Sequence, residues 1–174
     1  MSSVKPPDLF SPDAGTQVAG AVVAVAERSF FADVQSCDRG RFDDLAAAID
    51  DSWLVAMVHF REGDFAGALS CSLPQDLARN LLDAFTGRDP QEPDPDREAL
   101  FDLVGELSNM ICGTWLTRMA MAQTFTLSRP VVEFTRSRPA VGEDTVAMMA
   151  INDWPLLVSV ACLGEDSAAA AAGF

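Results

Sequence analysis

The chain has 174 residues, of which 49% are hydrophobic and 22% are charged, and its 26 acidic residues outnumber 12 basic ones to give a formal charge of -14. A chain of this size and composition is expected to fold as one globular domain with a substantial buried core. The charge argues against binding to nucleic acid or anionic lipid, because the sequence contains no run of basic residues to offset it. The longest early apolar run, residues 18–26, is too short to span a bilayer and lacks the basic segment that precedes a signal-peptide core.

The cysteine and histidine content gives no pattern typical of a metal site. Cys37, Cys71, Cys112 and Cys162 are far apart and form no CxxC pair, and the single His59 lies in an apolar run typical of a strand. We therefore expect no metal and no cofactor bound by this chain alone. Because three of the cysteines lie in apolar segments, they are expected to be buried thiols in a reducing compartment, which favours the cytoplasm.

The first half of the chain is predicted to run from a tail through helix and hairpin to a second helix. Apolar residues recur at helical spacing over 14–31, although the valine-rich centre leaves a strand as an alternative. The glycine in Arg61–Asp64 suits a tight turn between two strands. The helix that follows has Ser72 as its cap, Pro74 near its first turn and Gly87 after its end. The predicted elements are a tail at 1–13, a helix at 14–31, a short helix within 42–50, strands at 53–60 and 65–72, and a helix within 72–87.

The second half is predicted to hold one long helix and then strands. An acidic, proline-rich linker, residues 88–96, precedes it. Asp94 is a candidate N-cap, and Pro95 a candidate first residue, for a helix that runs to about Met121. The strands that follow are predicted at 124–128, 131–135, 146–151 and 156–162, with Asn152–Asp153 as the turn of the last hairpin and a tail at 165–174. This order predicts two related α-β-β halves in an α+β layer structure.

The stretch DLVGELSNMICG, residues 102–113, has two different sides when drawn as a helix. Asp102, Glu106, Asn109 and Gly113 recur at steps of four, three and four, so they lie within about 60° of one another around the axis. No lysine or arginine lies on this polar line. The other side is a broad apolar arc expected to pack on the core. The arc consists of Leu100, Leu103, Val104, Leu107, Met110, Ile111 and Trp115.

A solvated helix face is the simplest explanation of the polar line, but its residue types conflict with helix stability. Asparagine is a poor helix former in mid-helix, and Gly105 and Gly113 each cost about 1 kcal/mol relative to alanine. Conflict with local propensity tends to mark a functional site. Small residues at Gly105, Ser108, Cys112 and Gly113 are expected to leave a flat surface beside the polar line, which the backbone of another protein could approach closely.

At this helix the sequence resembles the CheX/CheC family of chemotaxis phosphatases. The family pattern is Asp or Ser, then Glu four residues later, then Asn three further on, and Asp102, Glu106 and Asn109 match it. The family's usual continuation, Asn-Met-Ile-x-Gly, follows. The stretch GDFAGALSCSLPQDLARNLLDAFTG is similar to the family's strand, Pro-containing helix start and closing glycine, and SRPVVEF, with Pro130, resembles the segment that carries a trailing proline. The resemblance covers most of residues 53–163.

The resemblance implies a single-domain α+β fold of the CheC/CheX type over residues 14–164, with long helices packed on an antiparallel-rich sheet. It also implies a phosphatase that acts on the aspartyl phosphate of a CheY-like receiver domain, which holds its own Mg²⁺. In that reaction Asn109 would position the attacking water and Glu106 would dock the receiver's lysine. Residues that would support the site or contact the partner are Asp102, Gly105, Gly113 and Pro130.

The sequence departs from the family pattern in two places. Pro130 lies slightly closer to Asn109 than the family spacing. The first helix offers Glu27 but has Phe30 where a second site would need asparagine, so a single site is expected. One alternative function is a non-catalytic receiver-binding adaptor, like relatives of this fold in the flagellar switch. Another is a homodimeric sensor domain with a small-ligand pocket, and the predicted sheet edges leave homodimer formation open.

Overall fold

The computed structural model describes residues 13–50, 52–89, 92–119 and 124–163. Within them the strands form one seven-stranded antiparallel sheet in the order β1-β6-β7-β3-β2-β4, with β5 also paired to β2. The strands are β1 (Val34–Ser36), β2 (Trp53–Glu62), β3 (Phe65–Pro74), β4 (Thr126–Leu127), β5 (Val131–Thr135), β6 (Thr145–Ile151) and β7 (Trp154–Leu163). The helices are α1 (Ala14–Phe30), α2 (Arg39–Ala47), α3 (Gln75–Thr86) and α4 (Arg97–Met119).

The sheet consists of two related halves that exchange their outer strands. Each half follows a long helix, α1 or α4, and contains a hairpin, β2–β3 or β6–β7. The two hairpins meet at the centre of the sheet, where β3 pairs with β7 and Ser70 lies opposite Ser159. The outer strand β1 pairs with β6 of the second half, and β5 pairs with β2 of the first half. The predicted α+β class is confirmed. The first half has one outer strand more than the predicted α-β-β unit, namely β1, and the second half has two, β4 and β5.

Side-chain alternation along the strands decides which face of the sheet receives the long helices. On β2, Leu54, Ala56 and Val58 are buried in the main core, which α1, α3 and α4 share. The intervening Met57 points to the other face and is 40% exposed. A smaller cluster under α2 covers part of that other face, and it contains Phe42, Ala46, Trp53 and Leu157.

Glycine and asparagine hold the predicted turns, whereas the predicted cap of α3 is wrong. Gly87 has φ 65° and ends α3, and the β6–β7 turn holds Asn152 at φ 49° and Asp153 at φ 64°, as a tight hairpin requires. Ser72 is not the cap, because β3 continues through it. Pro74 stands at the N-cap position instead, and its missing N–H costs nothing there.

The long helix α4 begins later than the sequence predicts. Asp96, rather than Asp94, acts as its cap, because the Asp96 carboxylate accepts a hydrogen bond of 2.8 Å from the Ala99 amide. This contact satisfies one of the amides that the first turn of a helix leaves unpaired. Pro95 consequently lies before the helix, which starts at Arg97.

The chain ends and three short internal segments, at 51, 90–91 and 120–123, fall outside the described residues. The tails at 1–12 and 164–174 belong to this part, so the domain boundaries near 14 and 164 stay predictions. The predicted end of the long helix near Met121 also lies outside, within 120–123. None of the described helices has the length and apolar character needed to cross a membrane.

Candidate functional site

The polar line on α4 faces away from the core for its whole length. Asp102 and Glu106 are exposed, and Asn109 and Gly113 are half-buried. The predicted apolar arc is buried with one exception, Met110, which is half-buried. The arc therefore fixes the rotation of α4 on the sheet, and this rotation places the exposed carboxylates and the half-buried carboxamide on the same side of the helix.

The carboxamide of Asn109 has no fixed partner within the described chain. Its Oδ1 atom is enclosed and accepts no hydrogen bond from a described residue. Leaving a buried polar atom unpaired costs roughly 1–3 kcal/mol, and such an atom in a folded protein calls for an explanation. A half-turn of the amide about χ2 exchanges the positions of oxygen and nitrogen, so the side chain is free to present either to an incoming group.

The carboxylates of Asp102 and Glu106 are similarly uncommitted. Neither forms an ion pair with a described basic residue. They stand four residues apart on the same helix face, where like charges repel and cost about 0.2–0.5 kcal/mol. The two carboxylates therefore do not stabilise the isolated chain.

Gly105 allows a loop to pack directly against α4 beside these residues. A Cβ atom at Gly105 would stand 3.3 Å from the Cβ of Pro130, which is closer than most side-chain contacts, and at an ordinary 3.5 Å from a methyl group of Val132. Gly105 immediately precedes Glu106 and lies one helical turn before Asn109, so Pro130 is brought to the edge of the polar line. By contrast, a Cβ at Gly113 would make only an ordinary 3.8 Å contact with Leu127.

Two open grooves flank the exposed face of α4. One, the β5 groove, lies between α4 and the segment leading into β5 and has a volume of about 800 Å³. The other, the α1 groove, lies between α4 and α1 and has a volume of about 550 Å³. The β5 groove is lined by Arg97, Glu98, Phe101, Asp102, Gly105, Glu106, Arg129, Pro130 and Val132. The α1 groove is lined by Ala24, Val25, Arg28, Ser29, Met110, Gly113, Thr114, Thr117 and Arg118.

The expected flat surface of small residues is wrong for Ser108 and Cys112. Both are buried, and the Ser108 hydroxyl donates a hydrogen bond of 2.8 Å to the Val104 carbonyl of its own helix. Burial raises the pKa of the Cys71 thiol to about 12 and also raises that of Cys112. These side chains pack behind α4, because their positions turn towards the sheet rather than towards the polar line.

The side chains that could bind a metal or act as a nucleophile are not gathered in one place among the described residues. Two of the cysteines are buried, whereas Cys37 is half-buried and Cys162 is exposed. Among the described residues no three side chains of the His, Cys, Asp or Glu type gather as a metal site. On α1, Glu27 is exposed but Phe30 is 1% exposed and packs against Phe85 with ring centroids 5.5 Å apart.

Four arginines at the grooves were missed by reasoning from the sequence. Arg28 and Arg118 line the α1 groove, and Arg97 and Arg129 line the β5 groove. They come from α1, from the two ends of α4 and from the segment before β5. Since no two of them are close in sequence, only the tertiary structure shows that they surround one face.

Comparison with known proteins points to one family. A family model described as chemotaxis phosphatase CheX matches residues 54–141, which is half of the chain. No curated protein matches the chain. Several solved structures share the fold at low sequence identity, and three of them represent the range.

The CheX chemotaxis protein from Vibrio vulnificus is 14% identical, with a TM-score of 0.64 over 85% of this chain and 95% of that one. The CheX in the CheX–CheY–BeF3–Mg²⁺ complex from Borrelia burgdorferi is 12% identical, with a TM-score of 0.55 over 86% and 97%. Thermotoga maritima FliY is 17% identical, with a TM-score of 0.55 over 95% and 93%. At these identities the likeness establishes a common fold.

Proposed function

The chain belongs to the CheX family of chemotaxis phosphatases, and we propose that it hydrolyses the aspartyl phosphate of a CheY-like receiver domain. The observation that carries the proposal is the pairing of Glu106 and Asn109 one helical turn apart on the accessible face of α4. The CheX from Borrelia burgdorferi, which shares this fold, forms a complex with CheY. A receiver is therefore the partner class that fits the family and the site together.

The proposed reaction transfers a phosphoryl group from the receiver to water. The water oxygen attacks phosphorus, the bond between phosphorus and the aspartyl oxygen breaks, and the carboxylate leaves with the electron pair. The proton of the water passes to the inorganic phosphate product or to solvent. Mg²⁺ held by the receiver offsets the charge on the phosphoryl oxygens, so this chain has only to bind and to position.

Asn109 is the proposed positioning group for the water. A carboxamide can donate to and accept from one water without changing its own protonation, and correct placement of the nucleophile supplies much of the rate in phosphoryl transfer. The Asn109 amide is suited to this role because its oxygen has no hydrogen bond from a described residue. When the receiver docks, the amide oxygen would gain the hydrogen bond that it lacks in the free chain.

Glu106 is the proposed anchor for the receiver's lysine. An exposed carboxylate without a basic partner in its own chain is available for a charge-assisted hydrogen bond to an ammonium group. Because Glu106 lies one helical turn from Asn109, its contact with the lysine would place the Asn109 amide and its water next to the phosphorus. Asp102, Gly105, Gly113 and Pro130 are proposed to shape the surrounding contact surface rather than to touch the reacting atoms.

Multiple turnover of a phosphorylated receiver tests this function. Each receiver domain of the source organism would be phosphorylated, and phosphate release followed with this protein at one-twentieth of the receiver concentration. We expect at least one receiver to lose many phosphoryl groups per molecule of protein. Spontaneous loss at an unchanged rate for every receiver, at any protein concentration, would contradict the proposal.

A receiver-binding adaptor without turnover is the second candidate function. It is favoured by the enclosure of the Asn109 oxygen, which a water can reach only after the amide turns or the chain adjusts. The same turnover assay separates the two functions. An adaptor would bind a receiver and leave its phosphoryl group in place.

A further inference from the structure

The arginines of this protein divide into two groups with different surroundings. All 11 arginines lie among the described residues, and five of them form ion pairs with aspartates. Six make no ion pair with a described carboxylate, although acidic residues outnumber basic ones by 14. Four of these six line the grooves beside Glu106 and Asn109, namely Arg28, Arg97, Arg118 and Arg129.

Two of the four arginines lie close to uncharged groups. The Arg97 guanidinium lies 4.8 Å from the ring centre of Phe101 and 5.7 Å from that of Phe134. Arg118 reaches across to α1, where its Nη1 atom would stand only 3.0 Å from a Cβ at Gly20. Stacking and close packing orient a guanidinium without neutralising it, so both charges remain available to a partner.

The α1 groove is the more strongly basic of the two. Its lining contains Arg28 and Arg118, the hydroxyls of Ser29, Thr114 and Thr117, and no carboxylate. The β5 groove, in contrast, has three acidic residues beside its two arginines. In a chain with a net charge of -14, a groove lined by two cations and no carboxylate is a local reversal of the overall field.

We infer that the four groove arginines form a basic frame that docks the acidic face of the phosphorylated receiver, with the α1 groove as its main contact. This inference rests on the proposed function and names the surface that recognises the substrate. The partner face carries the phosphoryl group and the carboxylates that bind its Mg²⁺, so it is anionic. Without the frame, this negatively charged chain would repel the anionic face of the receiver on approach.

The dimensions of the frame fit such an interface. Arg97 precedes Glu106 by nine residues and Arg118 follows Asn109 by nine, which places each about 13 Å along the helix axis from the proposed catalytic pair. The frame therefore spans roughly 30 Å, the width of a standard interface of about 800 Å² per partner. The catalytic pair lies at its middle, as a site that must be sealed from bulk water requires.

Paired charge reversals test the frame. The α1-groove variant is Arg28→Glu with Arg118→Glu, and the β5-groove variant is Arg97→Glu with Arg129→Glu. The matched control is Arg61→Glu with Arg136→Glu, which changes the charge equally at two exposed arginines that line neither groove. Circular dichroism and thermal unfolding would establish that all three fold like the wild type.

The primary readout is binding, because it does not depend on turnover. Receivers loaded with Mg²⁺ and BeF3 would be titrated with each protein at low and at high salt. We expect the α1-groove variant to bind at least about tenfold more weakly at low salt, the β5-groove variant to lose less, and the control to stay within about twofold. High salt should reduce wild-type affinity and narrow the difference from the α1-groove variant, because salt screens both the attraction of the arginines and the repulsion of the introduced glutamates.

Two results would overturn the inference. One is a wild type that binds none of the receivers. The other is a groove variant that binds as tightly as the control at low salt. Hydrolysis is measured in parallel, so the two proposals fail separately. If binding depends on the arginines but no phosphate is released, the frame stands and the phosphatase function is refuted. If phosphate is released at the same rate with and without the arginines, the phosphatase function stands and the frame is refuted.

Discussion

The helices α1 and α4 occupy related positions in the two halves of the fold, yet only α4 carries the candidate site. Each has a glutamate on its exposed side, Glu27 on α1 and Glu106 on α4. Three residues later, α4 has the half-buried Asn109, while α1 has Phe30, which is 1% exposed and packs on Phe85. The same position thus holds a half-buried side chain with a proposed role in one half and a core side chain in the other.

The different ends of the two helices explain why the same position has different surroundings. Phe30 is the last residue of α1, and the next residue, Phe31, turns the chain with φ 52°. Asn109 stands in the middle of α4, which continues for ten residues to Met119. At a helix end the chain must turn back onto the core, whereas a mid-helix position keeps the outward direction that the buried arc imposes.

The largest expected effect comes from giving α1 the asparagine it lacks. Phe30→Asn should lower the free energy of unfolding by at least about 3 kcal/mol, because it removes an aromatic ring from the core and buries an amide. It should create no second site. Chemical denaturation would measure the loss, and phosphate release would show whether activity rises. A stable variant with increased activity would mean that α1 can serve as a second site.

Reversing the charge of each glutamate sharpens the comparison between the helices. Glu106→Lys should weaken receiver binding by roughly ten- to a hundredfold, since it sets an ammonium group against the receiver's lysine. Glu27→Lys is the matched control on α1 and should change binding by less than about twofold. Titration of a BeF3-loaded receiver measures both. Equal losses for the two variants would remove the distinction between the helices.

A smaller effect is expected at Gly113, where stability and binding should change in opposite directions. Alanine is about 1 kcal/mol better than glycine inside a helix, and the structure leaves room for the extra methyl group. Gly113→Ala should therefore raise the free energy of unfolding by up to that amount. The methyl group would lie 3.8 Å from Leu127, on a helix surface that also lines the α1 groove, so a receiver that approaches the backbone closely there should bind more weakly. A variant that is both more stable and unimpaired in binding would exclude a close approach at Gly113.

The smallest effect at neutral pH concerns the thiols packed behind α4. Burial raises the pKa of Cys71 from 9.0 to about 12, so folding favours the neutral thiol. This contribution to stability is complete below pH 9 and is lost as the pH rises towards 12. Cys71→Ala should make the alkaline decline in thermal stability shallower. At pH 8 a thiol reagent should modify the exposed Cys162 and spare Cys71; rapid labelling of Cys71 would show that this core is open.

Local patterns in the sequence predict most of the framework of this fold. Helical spacing and turn residues place α1, the two central hairpins and the exposed line of α4, because these features depend on neighbours within about one turn or one hairpin. The outer strand β1 escapes prediction, since its pairing with β6 joins residues more than a hundred positions apart. The cap of α4 is misplaced because the sequence offers two aspartates, and only the structure shows that Asp96 bonds the Ala99 amide.

In the candidate site, too, the features set by neighbouring residues could be predicted, whereas those set by tertiary contacts could not. Asp102, Glu106 and Asn109 form a local pattern, so their shared face could be predicted. The contact between Gly105 and Pro130 is tertiary, and so is the gathering of four arginines from separate segments. The net charge does not reveal these four arginines. It reflects the excess of carboxylates and does not show which arginines form ion pairs with them.

The central claim is that Asn109 acts on the water and not on the fold or the docking. It is tested most directly by measuring phosphate release and affinity for a BeF3-loaded receiver on the same Asn109→Ala protein. The account predicts that hydrolysis falls about 100-fold or more, as when one positioning group is removed from an active site, while affinity changes by less than about threefold. Hydrolysis at the wild-type rate, or a loss of affinity large enough to explain the loss of hydrolysis, would contradict it.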